Sequence, residues 1–217
     1  MSSSFTSVTQ GTTVRGKIYR VLIALFSIML ISTAGYLAYS QQGLVEQLVE
    51  QQTESLADSY FDNINTLMLT GGMANRDIPR TKVMSHPEVL DARIIRSEAV
   101  TKMYGPGTDY ASAKDELDEK ALTGEKIKLI RDGENGRVLT VLQPLLASTD
   151  FRGTNCITCH ISGEGDVLGA VRVDYSLEAI DATVNRNLLT NVGINSALMI
   201  IGLLVLGPER LPAVART

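Results

Sequence analysis

The chain has 217 residues, 44% hydrophobic and 20% charged, with a formal net charge of −4. That length holds one domain of ordinary size plus extra segments, and that charge offers no basic surface for nucleic acid. The charge is segregated: residues 41–185 hold 23 acids against 14 Lys or Arg, a balance of −9, while 21–40 and 187–208 carry no charged residue.

Residues 1–20 carry Arg15, Lys17 and Arg20 and no acid, and read as a cytoplasmic N-terminus. The uncharged run "VLIALFSIMLISTAGYLAYS", 21–40, has the roughly 20 apolar residues that cross a bilayer. Cations on its N-terminal side place that end in the cytoplasm. A cleavable signal peptide is the competing reading, with small residues in "AGYLAYS" near a cut. The run, however, exceeds the usual apolar region of about 7–15 residues. Residues 41–185 then form the outer, periplasmic domain on a bacterial inner membrane. A second transmembrane helix over 187–206 returns the chain, and 207–217 is a short cytoplasmic tail.

Within 41–70, Leu44, Leu48, Gln52, Leu56, Tyr60, Ile64 and Met68 recur every four residues and predict a helix with one mostly apolar stripe. Gly71 and Gly72 end it. Residues 74–85 read as a shorter helix stopped by His86-Pro87. Residues 89–95 and 99–105 read as strands, and "GPGTDY" as a turn. Residues 112–124 read as a helix capped by Ser112. Residues 125–130 and 137–147 form a hairpin around "DGENG", with Pro144 marking an edge or a bulge. In "GDVLGAVRVDYS", Val167, Val171, Val173 and Tyr175 share one strand face, Arg172 and Asp174 the other. Ser176 then opens a helix that leads into the second span. The fold class is α+β: a PAS-like antiparallel sheet with flanking helices, between two transmembrane helices.

"GTNCITCHIS", 153–162, holds both cysteines and one of the two histidines. Its C-x-x-C-H core is the attachment signature of c-type haem. Cys156 and Cys159 add to the two porphyrin vinyl groups as thioethers, and His160 reaches the iron as proximal ligand. Three other uses compete. A thioredoxin-like dithiol belongs near a βαβ unit of a cytosolic protein. A disulfide between residues three apart closes too short a loop to stabilise much. A zinc site needs four ligands, and only Cys156, Cys159, His160 and the distant His86 are at hand. The expected cofactor is therefore one covalent haem c.

For the opposite axial position the candidates are Met68 first, on the apolar stripe, then Met73, Met84, His86 and Met103, or no protein ligand. Each methionine is equally a core filler. Haem propionates call for cations or donors, and Arg93, Arg96, Lys102 and Tyr104 supply them, with Arg96 and Tyr104 chosen as cofactor-binding. The alternative is that these cations balance nearby acids. With both cysteines committed, no nucleophile–base pair or metal cluster is visible, so no enzyme is expected.

The order "DARIIRSEAVTKMYGPG", "DELDEKALTGE", "NCITCH", "GEGDVLGAVRVDYSLEAIDATV" resembles the periplasmic, single-haem-c, PAS-like sensor domains of methyl-accepting chemotaxis protein-like transducers. That resemblance covers about 41–185. It implies a PAS-like sheet, a homodimer built on the long helices, and sensing of redox state or a small haem ligand, with the signal passed through the membrane helices. Cys156, Cys159 and His160 carry over, and a distal Met carries over onto Met68. Such transducers continue past the second span into HAMP and signalling helices, whereas 11 residues follow Leu206 here. The tail "IGLLVLGPERLPAVART" is instead similar to the span and hinge of the twin-arginine translocase B subunit. The leading expectation is a membrane-anchored haem sensor. The alternative is an electron-transfer cytochrome c subunit of a larger complex, its acidic surface suited to a basic redox or signalling protein partner. A component of protein translocation rests on the tail alone.

Overall fold

The computed structural model describes residues 14–205. Its elements are α1 (Val14–Leu69), α2 (Asp77–Met84), β1 (Val89–Arg96), α3 (Glu98–Tyr104), α4 (Glu116–Leu122), β2 (Ile127–Gly133), β3 (Gly136–Leu146), β4 (Val167–Ser176) and α5 (Glu178–Val205). The chain divides into two compact units, one of residues 1–42 with 184–217, the other Gly43–Thr183.

In the first unit, α1 is long and apolar enough to cross a membrane: its most apolar window has mean hydropathy 2.2 and is nowhere buried. Val21, Leu25, Ile28 and Ile31 all face outward, as lipid permits and water does not. Phe26, Met29 and Leu30 share a cavity of about 300 Å³ with Leu198 and Met199. The second expected span falls on the C-terminal part of α5, and its last residue, like 1–13 and the 207–217 tail, lies outside the described residues.

The second unit is α+β, built on a four-stranded antiparallel sheet in the order β1-β4-β3-β2. The hairpin forms as the turn residues dictate, with Gly133 paired to Gly136. Strand alternation sends Ala92, Leu139, Val141, Val171 and Val173 to one face, where they pack on Ala57, Tyr60 and Ile64 of α1. Burying each larger apolar side chain there contributes about 1.5–3 kcal/mol. The opposite face carries Ile95, Leu142 and Ala170 under Ala121 of α4. β4 is therefore covered on both faces and hydrogen-bonded along both edges.

The polar residues that alternate with these valines are buried too. Arg93 and Arg172 are 2% exposed and Asp118 is 0% exposed. Asp118 accepts from Arg93 and Arg172 at 2.9 and 2.8 Å, and Arg172 also binds Asp115 at 2.6 Å and Asp174 at 3.0 Å. Two buried guanidinium groups are thus matched by carboxylates, which such burial requires.

Several local expectations are corrected. Residues 99–105 are not a strand: α3 occupies all of them but Gly105. Ser97 caps that helix by accepting from the Val100 amide at 3.3 Å, Glu98 pairs with Lys102 at 2.6 Å, and Gly105 stops it at φ 81°. The fourth helix is capped by Asp115, which accepts from the Asp118 amide, and not by Ser112. Pro144 sits in an internal strand, but beyond the last pair with β2 at Leu142 and just before a register shift at Leu145/Leu146, so its missing donor falls where the neighbour has ended.

Candidate functional site

The first wall of the site is the end of α1. Gly71 adopts φ 71°, and the Gly72 amide reaches back to the Leu67 carbonyl at 2.7 Å while Gly71 reaches Met68. This is the glycine-dependent helix stop. It leaves Met68 in the last turn and starts a single 3₁₀ turn at Met73–Asn75, after which Arg76 returns toward the sheet.

The second wall is the segment between β3 and β4. Its base is closed by Ala147 and Gly165, whose amides bond to Asp166 and Ala147. Asn155 opens one 3₁₀ turn, Cys156–Thr158, by accepting from the Ile157 amide at 3.0 Å. The Cys159 and His160 amides both bond to the Cys156 carbonyl, at 3.3 and 3.0 Å. The turn brings both thiols and the imidazole to one cavity. The polar stretch before it is pinned: Arg152 binds Asp58 and Asp62 of α1 at 2.8 and 2.7 Å. Phe151 meets Phe61 edge to face, their rings 5.4 Å apart, and Asn65 donates to Thr154 at 3.0 Å.

The cavity has a volume of about 500 Å³ and mostly apolar walls, the range of an organic cofactor site. Cys156, Cys159, His160, Met68, Arg96 and Tyr104 all line it. Tyr104 donates to the Cys159 carbonyl and stacks edge to face on His160, with centroids 5.4 Å apart. Arg96 donates to the Gly105 carbonyl at 2.7 Å. Both cysteines are free thiols, with Cys159 exposed. Nδ1 of His160 is buried without a hydrogen-bond partner among the described residues. Burial holds its pKa below the usual histidine value, which favours the neutral form of the ring, the form that ligates a metal.

Met73 also lines the cavity, so two of the five distal candidates meet the Cys-His turn. The other three do not. Met84 packs against the core under the sheet, His86 is exposed in the turn after α2, and Met103 lies off the cavity. Arg93 is committed to the buried carboxylates, and Lys102 to Glu98 in solvent. Sequence reasoning missed Arg76, Phe61 and Phe151, all on the cavity wall. Phe61 and Phe151 flank recognisable features of the chain. Arg76 has no local signal, since its approach depends on the fold-back at Gly71–Gly72.

Among known proteins, the TatA_B_E family model, described as mttA/Hcf106 family, matches residues 197–217. Of these, 206–217 lie outside the described residues. No curated protein matches the chain. The apolar first helix and the short C-terminal match point to membrane association.

Proposed function

We propose that this chain is a membrane-anchored, periplasmic mono-haem c-type sensor responding to redox state or a small haem ligand. One observation carries the reading: Cys156, Cys159 and His160 converge on a single apolar cavity that also receives Met68 and Met73. The residues present fit the group. The thiols are free, burial favours the neutral imidazole, whose Nδ1 has no hydrogen-bond partner among the described residues, and the walls are mostly apolar with two arginines at hand.

Bound there, haem would supply a reversible one-electron change and the capacity to take a small ligand. Cys156 and Cys159 would hold the porphyrin by thioethers, His160 the iron. Tyr104 fixes the backbone and ring of that turn through its hydroxyl and its edge contact. Met68 would be the second side chain to hold the iron, our first choice because it lines the cavity and sits on the same helix as the apolar N-terminal segment, and a sensor needs its site tied to an element with two arrangements. We read the sheet as PAS-like, the second span as crossing the membrane through α5, and the long helices as the seat of a homodimer. No catalytic turnover is part of this reading.

The acidic balance of −9 and the exposed Cys159 edge favour a second reading, an electron-transfer cytochrome subunit. The test begins with intact mass and a pyridine haemochrome spectrum of protein from a host that matures c-type cytochromes. One haem mass and a two-thioether spectrum are expected, and unmodified thiols end the proposal. Carbon monoxide or nitric oxide added to the ferrous protein separates the two functions: a displaced axial ligand supports the sensor, and an unmoved spectrum with fast electron exchange supports the carrier.

A further inference from the structure

We propose that Arg76 and Arg96 form a carboxylate clamp on the cavity wall, and that the carboxylates it takes are the propionates of the covalently held haem. This rests on the haem reading above. The unit Gly43–Thr183 contains eight arginines. Six have a carboxylate partner: Arg80, Arg93, Arg131, Arg137, Arg152 and Arg172. Of these eight, Arg76 and Arg96 alone have none among the described residues, in a domain with a marked excess of acids, and both face the cavity.

What they do bond to neutralises no charge. Arg96 donates to the Gly105 carbonyl at 2.7 Å, Arg76 to the Met73 carbonyl at 3.3 Å, and Nε of Arg76 is buried without a partner. Burial first, then the neighbouring charge of Arg76, lowers the Arg96 pKa. Two like charges held together against apolar walls are costly until an anion joins them. The arrangement is built: Gly107, at φ 79°, leaves the space where a Cβ would stand 3.0 Å from Cζ and Nε of Arg96. The two arginines also wall a smaller cavity of about 50 Å³, so the pair lies where the two spaces adjoin. Planar guanidinium forks match carboxylates two bonds at a time, and a tetrapyrrole seated on the Cys-His turn carries two carboxylates.

The experiment uses the full chain in detergent, with Arg76→Gln, Arg96→Gln, Arg76→Lys and, as control, Arg80→Gln. Midpoint potential and the propionate bending bands in resonance Raman spectra are read. A cation beside the ring favours the ferrous form, so both cavity Gln variants should lower the potential and shift the propionate bands. Arg76→Lys should recover much of the potential, and Arg80→Gln should change neither. Unmoved potentials and bands in both cavity variants overturn the clamp. So does a saturable response of the parent protein to added acetate that Arg76→Gln abolishes, since it gives the arginines to a free carboxylate. Mass spectrometry of the same material separates the two levels: unmodified thiols overturn the haem reading with the clamp, whereas haem-bearing thiols with unmoved potentials overturn the clamp alone.

Discussion

Met68 and Met73 stand on either side of the Gly71–Gly72 stop and line the same cavity as His160. A thioether is a weak, soft ligand whose loss shows directly in the ferrous absorption bands. Met68→Ala should therefore broaden or shift the ferrous spectrum while Met73→Ala leaves it nearly unchanged. The reverse pattern moves the ligand to Met73, and two unchanged spectra remove methionine altogether. The Cys156-x-x-Cys159-His160 run was legible in the sequence because its chemistry is local: three groups within five residues meet whenever one turn forms. Arg76 was not legible, because nothing near it in sequence announces that the chain doubles back.

At the level of elements, periodicity read well where one face is apolar, as in α1 with Tyr60, Ile64 and Met68, and in the hairpin of β2 and β3. It failed at α3, read as a strand although Val100 and Met103 stand at the i, i+3 spacing of a helix and the Ser97 cap and Gly105 stop were present in the sequence. It put Arg172 and Asp174 on one strand face but did not give their partners, Asp115 and Asp118 for Arg172 and Arg131 for Asp174, which come from elsewhere in the chain. Removing Asp118 takes one carboxylate from each of two buried guanidinium groups and leaves Asp91 to Arg93 and Asp115 and Asp174 to Arg172, so Asp118→Ala should cost about 3 kcal/mol, the low end for breaking a buried pair, measured by urea unfolding. Acid should act on the same cluster. Burial raises the Asp115 carboxyl, but the Arg172 guanidinium overcomes this and holds it below the usual aspartate value. A lowered carboxylate pKa in the folded state contributes stability present above about pH 4, which is lost as pH falls toward the folded value. Asp115→Asn should flatten that acid limb of the stability profile, and an unaltered limb would assign it to other groups.

For the whole molecule, Leu44 and Leu48 lie one turn apart on α1 and are 59% and 55% exposed. Together they suit a helix-to-helix seam between two copies of the chain. The protein in detergent is expected to run as a dimer by light scattering, and Leu44→Glu with Leu48→Glu should yield monomer. A parent protein that is already monomeric removes the dimer from the proposal.

The covering of β4 on both faces and both edges also separates two clocks of amide exchange. Protons on Val171 and Val173 escape only when the sheet opens globally, whereas those of the Cys156–Thr158 turn escape through local fluctuation. A prosthetic group packed between α1 and the sheet must therefore slow both clocks. One that merely hangs from the two sulfurs in solvent would slow neither strand proton, so deuterium uptake along the chain reads how deeply the cavity is filled.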